Sequence, residues 1–539
     1  MRSHRFRLLS LIILLTVAAL WKAGILLANS VPFNGDEAIV GLMARHILYG
    51  GERPAFFYGQ AYMGSLDAYL VAAGFAVFGS QIWVIRLVQV FLYLGTLATT
   101  VLIGERFLAS WEAGMVAAIL LTIPPVNMTL YTTASLGGYG EALLIGNLTL
   151  LSGLAWIRHI QTGPAKRSGM HALLFGFWVG LGLWANGLTL IYSLPMGIGV
   201  LATLLAVKPK SPTRWVGIPA AAAGFFLGSL PWWLYALRQG ASSLVAELLG
   251  NNVAVETGSW LARTGQHLFN LFVLGGSAAF GFRPPWEVRW LALPLLPVAL
   301  IFWLAVFFLS IQPLRTGAHR LEHGLLLGVL LTFCAGFLFT SFGVDPSGRY
   351  FLPVFWLCAL AAGAALVKLK VSPHWKYVAV GLVLIFQAWG TVECILRNPP
   401  GLTTQFYTPT VYDHSAYPQL IEFLDQQGET RGYSTYWVSY PLAFRSQERL
   451  IFVPALPYHP DLSYSPRDDR YEPYTRWVAQ SDRVAYVTAR NGELDAYLRQ
   501  QFERLGVAWK EQAIGDFEVF YALSTAVRPQ EIGLGSARP

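Results

Sequence analysis

Two adjacent carboxylates, Asp36 and Glu37, stand in Asn34-Gly-Asp-Glu-Ala38, about eight residues beyond the apolar run Leu8–Ala28. Paired carboxylates just outside a membrane span point to acid/base chemistry at a membrane surface, with a substrate that arrives through the lipid. Asn34 is placed to cap a helix starting at Gly35, and Ile39, Leu42, Met43 and Ile47 would share one face of it, as in an interfacial helix. The plainer account is that both acids complement the helix dipole, with Glu37 in the capping-box position. Further along the same loop, Phe56-Phe-Tyr-Gly-Gln-Ala-Tyr-Met-Gly64 mixes rings, hydrogen-bonding tips and glycines. Such a stretch can hold a polar group beside an apolar tail, and it also fits an ordinary aromatic belt. Glu141 opens an apolar run, where a carboxylate is costly unless it faces a polar cavity. Arg349, in Asp345-Pro-Ser-Gly-Arg-Tyr350, can grip a phosphate or simply pair with Asp345.

These residues need membrane helices to position them. The chain has 539 residues, is 55% hydrophobic and only 13% charged, and has a mean hydropathy of +0.47. Soluble domains carry roughly 25% charged residues, so a polytopic membrane protein is expected. Apolar runs predict about eleven spans, near 8–28, 83–103, 111–126, 141–157, 171–186, 187–206, 216–236, 291–311, 324–340, 351–368 and 377–395. The first, following Met-Arg-Ser-His-Arg-Phe-Arg, is long enough to cross a bilayer of roughly 30 Å and reads as an uncleaved signal anchor. The break at Trp184-Ala-Asn-Gly187 separates two spans; read as a kink in one span, it would invert everything downstream. The three cysteines, Cys334, Cys358 and Cys394, fall in or at the end of spans and cannot form a disulfide framework.

Alternation groups the N-terminal heptad with Gly104–Ser110, Arg158–Met170, Val207–Trp215, Gln312–His323 and Leu369–Lys376. These segments carry Arg106, Arg158, Lys166, Arg167, Lys208, Lys210, Arg214, Arg315, Arg320, Lys370 and Lys376 with few acids, so they are expected in the cytoplasm. The net charge of +8 is thereby a topology signal and not a sign of nucleic-acid binding. Asn29–Ile82, Asn127–Gly140, Arg238–Trp290 and Ser341–Tyr350 then face outward, with the tail that begins near Leu396. The domains expected are therefore a transmembrane catalytic domain, 1–395, and an extracytoplasmic α/β domain, 396–539. In the tail, Gln419–Gln427 and Leu494–Leu505 read as helices, and Arg449–Val453, Arg483–Thr488 and Phe517–Leu523 as strands. The tail has no glycine-rich phosphate loop, so no nucleotide site is indicated. Its aromatic clusters Tyr433–Trp437 and Arg470–Tyr474 suit either core packing or stacking on sugars.

The order of these features carries a resemblance. A basic N-terminus and one span precede NGDEA; ARHILYGGERP, FFYGQAYMGSLDAYL and VFGS follow, and DPSGRYFLPVF comes far downstream. This layout, over roughly residues 1–395, resembles the GT-C superfamily of polyprenyl-phosphate-sugar-dependent glycosyltransferases. Within it, the protein O-mannosyltransferase-like group that includes the aminoarabinose transferase of lipid A is most similar. The resemblance implies an inverting transfer of a hexosyl or pentosyl group from a polyprenyl-phosphate donor to a lipid, glycan or protein hydroxyl. It places the protein in the plasma (inner) membrane, with the chemistry on the cell-envelope side. Asp36 would be the base and Glu37 its helper. Glu141 would orient the acceptor, and Arg349 would meet the donor phosphate with Tyr58, Gln60 and Tyr62 nearby. Arg263, His267 and Arg283 are further binding candidates from the third outer loop. A divalent metal held by Asp36 and Glu141 fits the family, yet Gly-Tyr-Gly-Glu141 replaces an Asp-x-Asp pair, so an obligatory ion does not follow. Competing readings are a polymerase of envelope glycans, a lipid or oligosaccharide flippase, and a scaffold working through its tail. A flippase should carry polar groups at mid-membrane on broken helices, whereas these carboxylates cluster outside the spans.

Overall fold

The computed structural model describes residues 2–162, 165–206, 212–240, 259–311, 320–397, 401–405, 408–459 and 461–535. Lys208, Lys210 and Arg315, and the middle of the third outer loop, 241–258, lie outside the described residues. The chain divides into two compact units. The first comprises Met1–Ala28, Tyr62–Asp67 and Arg86–Cys394; the second comprises Asn29–Ala61, Ala68–Ile85 and Ile395–Pro539.

Helices dominate the first unit. Among the described residues, eight are long and apolar enough to cross a membrane: His4–Leu27, Ile82–Phe107, Tyr139–Ile160, Arg167–Ala185, Gly187–Ala206, Arg320–Phe339, Arg349–Lys368 and Pro373–Arg397. Val216–Gly228 and Leu230–Arg238, bent by 66° at Ser229, make a ninth if they are one span. The expected spans 111–126 and 291–311 hold shorter apolar helices, Trp111–Leu120 and Leu296–Ile311. Prolines explain both: Pro124 and Pro125 halt the first run, and Pro294 and Pro297 delay the second. Phe6, Leu8, Leu9, Ile12, Ile13 and Leu20 of the first helix are all exposed on the protein surface. That apolar surface requires a hydrocarbon solvent, so the chain is an integral membrane protein.

At Trp184–Gly187 the chain does break. Asn186 accepts a hydrogen bond from Leu188 N at 2.9 Å, capping the turn Gly187–Thr189 before the helix Leu190–Ala206 begins. Two separate helices result.

The second unit is built on a five-stranded sheet of order β4-β3-β5-β7-β6. Its strands are β3 Arg431–Ser434, β4 Ile451–Pro454, β5 Ala485–Ala489, β6 Lys510–Ile514 and β7 Phe517–Tyr521; β1 and β2 are the hairpin strands Phe56–Phe57 and Gln60–Gly64. β3 pairs parallel with both β4 and β5, while β7 runs antiparallel to β5 and β6. Leu420, Leu424, Val438, Leu442, Phe452, Val487, Phe517 and Val519 fill one face of the sheet.

The helix Gly35–Tyr49 belongs to this unit and is capped as expected: Asn34 Oδ1 accepts from Glu37 N at 3.0 Å. Its sides are buried more widely than in an interfacial helix. Ala38, Val40, Gly41 and Ala44 are covered along with Ile39, Leu42 and Met43. A Cβ at Gly41 would lie 2.5 Å from the Phe444 ring, so glycine sets the close approach of the helix Tyr436–Arg445.

Candidate active site

In the second unit, Asp36 sits on the first turn of the helix Gly35–Tyr49, half-buried, with Glu37 wholly buried beside it. The Tyr436 hydroxyl donates to Asp36 Oδ1. Tyr436 opens the helix that leaves the carboxyl end of β3, and its ring lies against Gly35. Burial, reinforced by the Asp36 charge, holds the Tyr436 phenol well above its ordinary range, so it acts as a donor at neutral pH. The Arg470 guanidinium lies 5.5 Å from the Tyr436 ring centre. Asp468 completes the cluster. Its carboxyl is pushed up to about 7 by burial; Arg470 opposes the rise and Asp36 adds to it. Tyr440 OH donates to Asp468 O at 3.0 Å and accepts from Arg470 N at 2.6 Å, pinning the segment that carries both side chains.

Tyr58 is engaged elsewhere in the same unit. Its hydroxyl donates to Glu52, with His46 Nδ1 at 2.9 Å, and its ring stacks on Tyr471 at 4.8 Å. Tyr471 donates to Glu52 at 2.6 Å, while His46 Nε2 and Tyr474 OH lie 2.8 Å and 2.6 Å from Glu448 Oε1. This clasp joins the loop after the helix Gly35–Tyr49 to the tail and occupies the Tyr58 hydroxyl. Gln60 is half-buried on β2.

In the first unit, Arg349 heads the span Arg349–Lys368, about a third exposed and paired with Asp345 at 2.6 Å. Tyr131, Tyr139 and Tyr350 lie within its electrostatic reach, and Tyr62 interacts with Tyr350. The turn before Arg349 is rigidly held. Gly348 has φ +79°, and a Cβ there would sit 2.9 Å from Gly275 O. Asn127 Nδ2 donates to Gly348 O at 2.8 Å. Arg283, a binding candidate from the sequence, donates to Leu274 O at 2.8 Å, Pro284 O at 2.9 Å, Glu287 O at 3.1 Å, Ser277 Oγ at 3.2 Å and Pro346 O. Burial lowers it to about 10, with Asp345 pulling back, so it stays charged at neutral pH. His267 is buried, with Nδ1 2.9 Å from Leu338 O. Arg263 is half-buried on the helix Trp260–Phe269.

Glu141 is buried near Asp67, a carboxylate the sequence reading passed over. Gln89 Nε2 and Ser135 Oγ each donate to one Asp67 oxygen, whereas Glu141 Oε2 makes no hydrogen bond. No group of three or more His, Cys, Asp or Glu able to hold a metal occurs among the described residues. Two carboxylates, Asp67 and Glu141, fall short of the oxygen-rich set that a divalent site needs.

Lys22 was also missed. Wholly buried in the first span, it donates to Thr129 O at 3.1 Å, Thr132 Oγ1 at 2.6 Å and Thr133 Oγ1 at 2.8 Å, beneath the Tyr93 ring. A lone lysine inside an apolar run was the available signal. It fixes the segment whose Asn127 supports Gly348. A separate apolar groove of about 530 Å³, lined by Trp303, Leu326, Leu330, Leu357 and Ala361, contains none of the candidate residues.

No protein-family model matches the sequence, and no curated protein does. Solved structures are similar to it. ArnT from Cupriavidus metallidurans in the apo state aligns with a TM-score of 0.59 at 12% identity, over 93% of this chain and 97% of that one. The same protein bound to undecaprenyl phosphate gives 0.57 at 12%, over 94% and 97%. The oligosaccharyltransferase AglB from Archaeoglobus fulgidus, in complex with an inhibitory peptide and a dolichol-phosphate, gives 0.50 at 12%, over 97% and 74%. At 12% identity the likeness is one of fold: the chain shares the fold of these membrane proteins.

Proposed function

We propose that this chain transfers a sugar from a polyprenyl-phosphate donor to an acceptor hydroxyl on the extracytoplasmic side of the membrane. The observation that carries this reading is Asp36: a half-exposed carboxylate just past the first span, fixed by a tyrosine donor, on a GT-C fold. In the proposed step the acceptor O–H gives its proton to the Asp36 carboxylate. The acceptor oxygen attacks the anomeric carbon from the face opposite the phosphate. The bond from that carbon to the phosphate oxygen breaks, and polyprenyl phosphate leaves with the electron pair. One displacement inverts the anomeric centre. Glu37 holds the helix start that carries Asp36. Arg349 binds the leaving phosphate, with Tyr62 and Tyr350 around it, and Glu141 orients acceptor hydroxyls. The bonds of Arg283 to backbone carbonyls support a role in holding the Arg349 turn.

The polyprenyl phosphates bound in two of the similar structures, undecaprenyl phosphate and a dolichol-phosphate, support the donor class. The basic segments between spans support a cytoplasmic N-terminus and an outward tail. A flippase reading gains little, because the bend at Ser229 is flanked by Phe225, Trp232 and Trp233 and not by ionisable groups. The test is transfer from radiolabelled polyprenyl-phosphate sugars into a membrane extract, wild type against Asp36→Asn. Loss of transfer with folding and donor binding intact supports the reading; equal transfer by both proteins sinks it.

A further inference from the structure

The tail's sheet has an open α/β topology. From β3 the chain crosses to β4 on one side and then returns past β3 to β5 on the other. In such sheets, the groups that work on a ligand gather outside the carboxyl ends of the strands, beside the reversal. Tyr436 stands there, two residues after β3 ends at Ser434. What it meets is not a diffusible ligand but Asp36, 400 residues earlier in the chain.

We propose that Tyr436 is a positioning residue for the transfer, and that the C-terminal domain is thereby part of the catalytic machinery. The inference rests on the reading of Asp36 as the base. Three observations carry it. The Tyr436 hydroxyl donates to Asp36 Oδ1. The Tyr436 ring packs against Gly35, where a Cβ would come within 2.8 Å, and the Arg470 guanidinium lies 5.5 Å from its centre. The Tyr440 hydroxyl bonds fix the Asp468–Arg470 segment behind it. A carboxylate aimed this way pays less reorganisation when the acceptor arrives. The effect acts on the chemical step and not on the grip on the donor phosphate.

The test compares full-length wild type, Tyr436→Phe, Asp36→Asn, Asp36→Glu and the double variant Asp36→Glu with Tyr436→Phe in nanodiscs. It reads kcat and KM for transfer, equilibrium binding of polyprenyl phosphate, and the melting temperature. For Tyr436→Phe, kcat is expected to fall about 10-fold, the worth of one hydrogen bond to a charged group, with polyprenyl-phosphate affinity within twofold. In the Asp36→Glu background, where the carboxylate is already displaced, the same substitution should change kcat less than twofold. An unchanged kcat for Tyr436→Phe overturns the inference. So does a parallel fall in kcat, affinity and melting temperature, which marks a merely structural tyrosine. If Asp36→Asn is inactive while Tyr436→Phe matches wild type, only this inference fails; if Asp36→Asn is active, the reading beneath it fails too.

Discussion

Asp36 takes a hydrogen bond from a side chain 400 positions away on its own carboxylate, while the turn before Arg349 is held through its backbone carbonyls, by Asn127 on Gly348 O and Arg283 on Pro346 O. Around Asp36 the supports are side-chain hydroxyls and a guanidinium, Tyr436, Tyr440 and Arg470. Each is long, polar and tunable by substitution. Around Arg349 they are a left-handed glycine, the Asn127 amide on a carbonyl and the Arg283 fork on several more. The contrast matches the proposed tasks. A base must change protonation state in each cycle and benefits from adjustable neighbours. A phosphate cation needs only to stay put, and carbonyl anchoring gives it that.

The largest expected effect separates the two regions at once. Asp36→Asn should lower turnover about 1000-fold and leave polyprenyl-phosphate affinity unchanged; a matching loss of affinity would erase the distinction. Next comes Arg283→Met, which strands a set of buried carbonyls. It should cost about 3 kcal/mol of stability, seen as a lowered melting temperature, since a buried hydrogen-bonded cation is costly to remove. A melting temperature equal to wild type would mean that the Arg349 turn does not depend on this clamp. Arg349→Met should weaken polyprenyl-phosphate binding about 100-fold, with stability close to wild type, and so reverse the Asp36 pattern. The smallest effect concerns pH. Asp468 is raised to about 7 in the fold, mainly by burial, against an ordinary aspartate near 4. The folded state therefore binds this proton more tightly than the unfolded chain. Stability from this group is full below about pH 4 and falls away as pH rises towards 7. Asp468→Asn, which cannot ionise, should melt higher than wild type at pH 8 and equal to it near pH 4. A constant difference across that range would show that Asp468 ionisation is unimportant to the fold.

Local signals were legible and distant partners were not. Asn34 and its helix could be read because a cap and its amide lie three residues apart. β4, β5 and β7 showed as short apolar runs because their side chains are largely buried. β3 is four residues long and contains Gly432, while β6 is an edge strand of mostly exposed Lys510-Glu-Gln-Ala-Ile514, so neither carried a strand pattern. The helix Leu66–Phe78 has 13 residues, too few to register as a span, and was absorbed into the first loop. The bonds of Arg283 to neighbouring carbonyls were not legible, because a sequence cannot reveal that an arginine will turn back onto its own backbone. Asp67 drew no notice because its partners Gln89 and Ser135 lie 22 and 68 residues away. Tyr436 lay in an aromatic cluster already singled out, but nothing local links it to Asp36.

The helix Gly35–Tyr49 buries Ala38, Ile39, Leu42, Met43 and Ala44, and its neighbours include Tyr436 and Phe444 of the tail. During synthesis it emerges roughly 400 residues ahead of those partners. At about 5–20 residues per second that is a wait of roughly 20 to 80 s. For that time the nascent chain presents an uncovered apolar helix, which a chaperone or the lipid surface must shelter. A ribosome stalled before the tail, or a frameshift near residue 400, would therefore leave a protein with its spans inserted and its first loop still open to proteolysis.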